Sequence, residues 1–170
     1  ADAQPDRDPN ELSTAEGKQL IDQIASFGHP SPVFVISGGD PLKRPDLYEL
    51  IEYATDQGLP TAVTPAPTSL LDREVLETFA DLGVKRIALS LDGATPESHD
   101  SFRGEEGSFD LIMDRAKMAK AAGIGIQINT TVTASTVDDL PAIADLVEEL
   151  GAAMWEVFFL VPIGRGTELD

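Results

Sequence analysis

Two glycines, an acid and a proline, at Gly38, Gly39, Asp40 and Pro41, are the residues with the clearest chemical potential in this chain. The residues before them, 33–36, are all apolar and are typical of a buried strand. Glycine accepts positive φ and lets a ligand approach the backbone, and a proline biases the preceding residue away from helix. Because parallel sheets bind ligands at the carboxyl ends of their strands, this turn predicts a polar binding site.

Polar residues also follow the other strands that the sequence predicts, at about 60–64, 86–91, 126–132 and 155–160. Their carboxyl ends would bring hydroxyls, an amide, an acid and turn residues to one rim: Thr64, Pro65, Ala66, Ser90, Asp92, Gly93, Asn129, Thr130, Thr131, Val161, Pro162, Gly164 and Arg165. Such a ring could hold a ligand with an amine, hydroxyl groups and a flat base.

Catalytic groups are few, and no catalytic residue is identifiable in the chain. His29 is predicted at a helix end on the opposite rim, and His99 in an exposed loop after the third strand, so both are interpreted as inert. There is no Ser-His-Asp order, paired-acid arrangement, GxGxxG motif or P-loop. The Gly-Gly-Asp run is superficially similar to the signature of cyclic-dinucleotide synthases, but that signature needs a Glu-Phe hairpin tip, whereas Pro41 and a helix follow here.

Five amphipathic helices are predicted to alternate with the five strands and to position this rim. A capping box at 13–16 opens the first helix, Pro45 suits the first turn of the second, and the later helices open at Asp72, at Ser108 and at Asp138 or Asp139. The alternation predicts a parallel sheet with right-handed crossovers, and periodicity alone leaves a barrel and a doubly wound sheet open. The helix-first order leads us to expect a piece of a longer protein, without its first strand.

Composition excludes several classes of function. The chain of 170 residues has 30 acids and 12 bases, a net charge of −18, which argues against binding of nucleic acid or an anionic membrane. Neither a secretory signal nor a membrane-length apolar run is present, so we expect a cytoplasmic protein. The acidity suggests a halophilic source as a hypothesis. With no cysteine, these residues offer no disulfide or thiolate metal site.

The ordered motifs resemble those of radical S-adenosylmethionine (radical SAM) enzymes, in which Gly-Gly-Glu-Pro follows a strand. Besides the turn at 38–41, the chain carries LKRPDL at 42–47, SLDG at 90–93, HDSFRG at 99–104, GSFD at 107–110, INTTV at 128–132 and FFLVPIGRG at 158–166. They are similar to those of the branch with an extra C-terminal cluster-binding domain, the SPASM type, whose members act in quinone-cofactor and haem biosynthesis and in peptide maturation.

This resemblance implies an α/β fold, a partial (βα)6 barrel of the TIM type whose first strand is missing from the chain. Residues 1–11 would form a polar segment, 12–166 the barrel, and 167–170 the start of a linker to a C-terminal domain. The family's CxxxCxxC loop follows the first strand and would lie upstream of Ala1. The ligands of the [4Fe-4S] cluster are therefore expected outside this chain.

The resemblance also implies roles for residues on the rim. Gly38, Gly39, Asp40 and Pro41 would form the site for the methionine amine of S-adenosylmethionine (SAM), although Asp40 is one methylene shorter than the usual Glu. The remaining SAM contacts would come from the later strands: Thr64 and Ser90 on the carboxylate or ribose, Asn129 and Thr131 on the ribose, Val161 and Pro162 on the adenine, and Asp92 beside them. Arg103 would anchor structure through charge-assisted bonds.

The implied activity is reductive cleavage of SAM at the cluster to a 5′-deoxyadenosyl radical, which abstracts hydrogen from a small-molecule or peptide substrate. An electron donor such as ferredoxin or flavodoxin would be the partner. Two alternatives remain open: a degenerate, non-catalytic barrel that binds a nucleotide-like ligand or a protein partner, and an unrelated nucleotide-binding α/β domain. The same residues also have a purely structural interpretation, without a ligand: a tight turn at 38–41, local caps at Ser90 and Asp92, and ordinary strand residues at 129–131.

Overall fold

The computed structural model describes residues 10–160 of the chain. Within them, five strands run at β1 (Phe34–Ile36), β2 (Thr61–Val63), β3 (Arg86–Ser90), β4 (Gly125–Val132) and β5 (Met154–Phe159). The helices are α1 (Thr14–Ala25), α2 (Leu47–Asp56), α3 (Arg73–Asp81), α4 (Pro96–Arg103), α5 (Ser108–Ala121) and α6 (Leu140–Leu150). Short 3-10 turns occupy Pro41–Lys43 and Val137–Asp139.

The sheet is entirely parallel, and its strands lie in the order β1-β2-β3-β4-β5. A doubly wound sheet reverses its strand order near the middle, whereas this order follows the chain from one edge to the other. Right-handed crossovers in such an order place every helix on the same face. The topology therefore decides between the two open architectures in favour of a partial barrel wall.

The apolar core lies between this sheet and its helices. Strand residues such as Ile87 and Ile128 pack there with Phe79 of α3 and Ile112 of α5, all at most 1 % exposed. In β4 the buried residues alternate with half-buried ones, so one face of the strand meets the helices and the other does not. We call the uncovered side the inner face; the register places on it Ala62, Thr64, Ala88, Ser90, Gln127, Asn129, Thr131, Glu156 and Phe158.

Most predicted helix starts agree with the structure. Ser13 and Glu16 form the capping box of α1, the Asp72 carboxylate accepts the Val75 N–H at the start of α3, and α5 begins at Ser108. Pro45 lies before the N-cap of α2 rather than in its first turn, because a 3-10 turn intervenes after Asp40. In the part of the chain that the structure describes, no helix is both long and apolar enough to cross a membrane.

Helix α4 is the element that the sequence interpretation missed. Its N-cap Thr95 forms a capping box with Ser98, and Pro96 occupies the first turn, where its missing N–H does no harm. His99 therefore lies in a helix and is fully buried, so the expectation of an exposed loop histidine is wrong. The apolar periodicity that marks a helix is absent over these eight residues, although their caps are present in the sequence.

Candidate functional site

The turn after β1 is built around the Asp40 side chain. Asp40 caps the 3-10 turn, and its Oδ1 accepts hydrogen bonds from the backbone N–H of Leu42 at 3.2 Å and of Ala66 at 3.4 Å. These bonds tie the end of β1 to the segment after β2. The other oxygen, Oδ2, is buried and has no hydrogen-bond partner among the described residues. An unpaired buried carboxylate oxygen is costly, so the turn holds an acceptor in need of a donor.

Gly38 gives this turn a shape that needs glycine. Its φ of +141° lies where residues with side chains are rarely found, and a Cβ placed there would have no atom within 4 Å. The backbone of the turn is thus both unusual and open to a ligand. A cavity of about 330 Å³ lies against residues 38–41 and extends along the edge of the sheet to α1, but Thr64, Ser90 and Asn129 do not line it.

The next strands present their polar residues on the inner face at the same rim. Thr64 follows β2, where its N–H donates to the Ile36 carbonyl at 2.9 Å and its side chain is half-buried. Ser90 at the end of β3 is the register partner of Asn129 in β4. The structure therefore brings Ser90 and Asn129 side by side, and sheet order places Thr64 one strand away.

Two inner-face residues were missed by the sequence interpretation. Gln127 donates from Nε2 to Asn129 Oδ1 at 2.8 Å, which holds the Asn129 amide. Glu156 is the register partner of Asn129 on the other side, so a hydroxyl, an amide and a carboxylate lie at one level across β3, β4 and β5. Counting in steps of two from Asn129 would have found Gln127, whereas Glu156 needed the strand register.

Asp92 lies behind this row rather than on it. The residue is fully buried; its Oδ1 accepts the Thr131 N–H at 2.6 Å, and Arg103 Nη2 stands 2.5 Å from Oδ2. The expected anchoring role of Arg103 is thus matched by an ion pair within the chain. Thr131 contributes its backbone to this contact, and its side chain is half-buried on the inner face.

His99 completes the buried group around Asp92. Its Nδ1 accepts the Asp92 backbone N–H at 3.0 Å, and its ring meets Phe109 edge-on. Burial lowers the pKa of His99, the nearby Asp92 charge opposes that effect, and Arg103 adds to it. The imidazole thus ties α4 to the end of β3 through Nδ1, while its Nε2 is buried without a hydrogen-bond partner among the described residues.

The expected adenine contacts, Val161 and Pro162, and the loop residues Gly164 and Arg165, lie outside the described residues. The site described here therefore comprises the 38–41 turn and the inner-face residues of β2 to β5. It offers an unpaired carboxylate oxygen, open backbone and a row of small polar side chains, which suits a ligand with an ammonium group and hydroxyl groups.

Comparison with known proteins identifies the family. The model of the radical SAM superfamily matches residues 2–147. The chain belongs to the radical SAM superfamily. Radical SAM proteins use SAM and a [4Fe-4S] cluster, so the sequence resemblance is confirmed at the level of the family.

Two curated relatives illustrate the proteins that this chain resembles. An AdoMet-dependent heme synthase of Methanosarcina barkeri is 42% identical over 160 residues, covering 94% of this chain and 45% of the relative. A mycofactocin maturase, MftC, of Mycobacterium tuberculosis H37Rv is 35% identical over 166 residues, covering 96% of this chain and 41% of the relative. The chain thus spans less than half the length of these curated relatives.

Solved structures confirm the radical SAM partial barrel. Streptococcus suis SuiB bound to S-adenosylmethionine superposes with a TM-score of 0.80 at 18% identity, over 96% of this chain and 37% of SuiB. Methylornithine synthase (PylB) superposes with a TM-score of 0.73, also at 18% identity, over 89% of this chain and 45% of PylB. At these identities the likeness establishes the fold alone.

The residues of this chain fit the two radical SAM cofactors differently. SAM carries an ammonium group that matches the unpaired Asp40 oxygen, and the open backbone at Gly38 leaves room for it. The cluster finds no ligands here, because the chain has no cysteine. Residues 10–160 also contain no group of three His, Asp or Glu side chains placed to hold a metal ion.

Proposed function

We propose that this chain is the SAM-binding barrel of a radical SAM enzyme. When bound, the family's cluster supplies the electron that cleaves SAM to a 5′-deoxyadenosyl radical for hydrogen abstraction. The chain's own part is to bind and orient SAM on the rim and to keep water away from it. The observation that carries the proposal is the buried, unpaired Asp40 oxygen in a glycine turn at the end of a barrel strand.

Each rim residue then has a task set by its chemistry. The Asp40 carboxylate and the carbonyls of Gly38 and Gly39 accept hydrogen bonds from the SAM ammonium group, and Pro41 fixes the exit of the turn. Because Asp40 already uses Oδ1 for two backbone bonds, Oδ2 is the oxygen left for the ligand, and since Oδ2 is buried the turn must open slightly for the ammonium group to reach it. This arrangement explains how an Asp can serve where the family usually has Glu.

The later strands would hold the rest of SAM. Thr64 and Ser90 bind the methionine carboxylate or the ribose through their hydroxyl groups. Asn129, held by Gln127, donates from its free amide nitrogen to a ribose oxygen, with Thr131 beside it. Val161 and Pro162 would lie against the adenine.

For the whole protein, we propose a SPASM-type enzyme of haem or quinone-cofactor biosynthesis or of peptide maturation. Support comes from the names of the relatives, a heme synthase and a mycofactocin maturase, and from a fold neighbour solved with its precursor peptide. The substrate is accordingly a small molecule or a peptide. We propose residues 12–166 as the barrel, 1–11 as a preceding segment and 167–170 as the start of a linker; of these, residues 1–9 and 161–170 lie outside the described residues. Ferredoxin or flavodoxin would donate electrons in the cytoplasm, and the acidic surface suits a halophilic cell.

The test is a titration of the full-length protein and its Asp40→Asn variant with two ligands. SAM carries the ammonium group, and 5′-methylthioadenosine has the same nucleoside without it. Loss of one charge-assisted hydrogen bond is worth about 1.5–3 kcal/mol, so the variant should bind SAM about 10- to 100-fold more weakly. Its affinity for 5′-methylthioadenosine should change little.

Asp72→Asn is the matched control, because Asp72 makes a similar carboxylate-to-backbone bond at the start of α3, away from the rim. It should leave SAM affinity unchanged. Equal SAM affinity for Asp40→Asn and wild type would refute the proposed role of Asp40. Wild-type protein that binds SAM but never cleaves it after cluster reconstitution would favour the non-catalytic barrel.

A further inference from the structure

The hydrogen-bond ladder between β3 and β4 ends irregularly beside the proposed SAM site. The Leu91 N–H donates to the Asn129 carbonyl at 2.9 Å, as a parallel ladder requires. The next bond of such a ladder would run from the Thr131 N–H to the Leu91 carbonyl. Instead, Leu91 accepts from the Thr130 hydroxyl at 2.7 Å, and the Thr131 N–H donates to Asp92 Oδ1 at 2.6 Å. The Asp92 side chain thus takes the place of the Leu91 carbonyl as the acceptor for the Thr131 N–H, at the point where β3 ends.

The Asp92 carboxylate is held from both sides. One oxygen faces β4 through Thr131, and the other faces Arg103 in α4 at 2.5 Å. Asp92 is fully buried, whereas the Arg103 side chain is 37% exposed. Burial of a carboxylate is costly unless the group is paired and hydrogen-bonded. The ion pair therefore keeps a strong acceptor in place for the Thr131 N–H.

The backbone of Asp92 is also held in place by contacts with α4. Its N–H donates to His99 Nδ1 at 3.0 Å. The next residue, Gly93, runs so close to α4 that a Cβ there would stand 2.7 Å from the Ser98 carbonyl carbon. The end of β3 thus lies directly against α4, and Asp92 is the residue that contacts both α4 and β4.

We propose that Asp92 is a positioning residue for the SAM site: it sets the spacing of Ser90 from Asn129 and Thr131 and does not touch the ligand. The inference rests on the proposed function, because it assumes that these residues bind the nucleoside. It revises the expectation that Asp92 itself contacts SAM, since both of its oxygens already face groups of the chain. The acceptor oxygen toward Thr131, rather than the charge, is the property that the site needs.

The experiment compares Asp92→Asn with Asp92→Ala in the full-length protein. The amide keeps an oxygen for the Thr131 N–H, and its NH2 group then faces Arg103, whose half-exposed side chain can turn toward water. Alanine leaves the Thr131 N–H without an acceptor. S-adenosylhomocysteine, titrated by calorimetry, reports on the site without any need for the cluster reaction. Because an unpaired buried donor is costly, the β4 backbone should shift in Asp92→Ala to satisfy the Thr131 N–H, and that shift displaces Asn129 and Thr131. Asp92→Ala should therefore bind about tenfold more weakly, whereas Asp92→Asn should stay within about threefold of wild type.

A control and a second readout separate positioning from general damage. Leu76→Ala removes a fully buried side chain from α3, so it lowers stability without touching the rim. It should keep wild-type affinity. Hydrogen exchange of the peptide spanning 129–133 should accelerate in Asp92→Ala and stay slow in Asp92→Asn and Leu76→Ala.

Three results would overturn the inference: wild-type affinity in Asp92→Ala, an equal loss in Leu76→Ala, or an equal loss in Asp92→Asn. Failure of the proposed function looks different. In that case the wild type does not bind S-adenosylhomocysteine or SAM at all, yet exchange at 129–133 still responds to Asp92→Ala. That pattern supports the positioning of β4 by Asp92 and removes its connection to SAM.

Discussion

Replacement of Gly93 by alanine should be among the most damaging single changes in this chain. A Cβ at this position would stand 2.7 Å from the Ser98 carbonyl carbon and closer still to the His99 nitrogen, and both are backbone atoms of α4. Ordinary contact begins at 3.4 Å, so the start of α4 must move outward. That movement stretches the bond from the Asp92 N–H to His99 Nδ1, which is 3.0 Å long.

The expected cost follows from these two effects. Overpacking of a close contact costs about 1–3 kcal/mol, and the lost hydrogen bond contributes about 1 kcal/mol. We therefore expect Gly93→Ala to lower the free energy of unfolding by about 2–4 kcal/mol. At about 2–4 °C per kcal/mol for a protein of this size, Tm should fall by about 10 °C.

The assay is thermal and urea unfolding of the purified protein, followed by circular dichroism. Gly123→Ala is the matched control: Gly123 has φ +79° and no atom within 4 Å of a built Cβ, so only backbone strain of about 1 kcal/mol applies. If Gly93→Ala costs no more than Gly123→Ala, the close approach of the β3–α4 segment does not constrain the fold and the reasoning is wrong.

Three further predictions concern pH, capping and salt. The lowered pKa of His99 means that below pH 6.5 the unfolded chain binds a proton that the folded chain does not, so stability should fall as pH drops. Urea titrations should show this slope disappear in His99→Gln and persist for the exposed His29→Gln. Although burial opposes its ionisation, bonds from the backbone N–H of residues 109 and 107 lower the pKa of Asp100. Asp100→Ala should therefore lower Tm, whereas Asp81→Ala should not, because Asp81 is exposed at the C-terminal end of α3, where a carboxylate does not stabilise the helix. If the acidic surface reflects a halophilic cell, Tm should rise from low salt to multimolar KCl, and equal Tm values would contradict that hypothesis.

Strand and helix order could be predicted because most elements carry their signals locally. The capping box at Ser13, the helix start at Asp72 and the strand at about 126–132 are readable from neighbouring residues, and all three agree with the structure. Helix α4 was missed because its eight residues carry caps but no apolar period. His99 was expected in an exposed loop because this helix was missed; its burial beside the Phe109 ring depends on how α4 packs and not on neighbouring residues in the sequence.

The candidate site also has one part that local sequence predicts and one part that depends on contacts between distant segments. The 38–41 turn was visible in the sequence, because glycine and proline dictate backbone shape by themselves and because Asp40 was the acid within it. The pairing of Ser90 with Asn129, and of Asn129 with Glu156, depends on strand register. Register relates residues that are about 30–40 positions apart, so no local pattern encodes it.

By itself, the sequence determined the βα alternation, the acidic surface, the lack of thiol ligands in these residues and the family whose motifs they share. Only the tertiary structure decided that one Asp40 oxygen accepts hydrogen bonds from the backbone while the other has no partner among the described residues. It likewise decided that Asp92, which looks like a rim ligand in the motif, lies behind the rim in an ion pair with Arg103. The physical reason is that residue type limits what a side chain can bond, whereas burial and the proximity of distant segments decide which bond it makes.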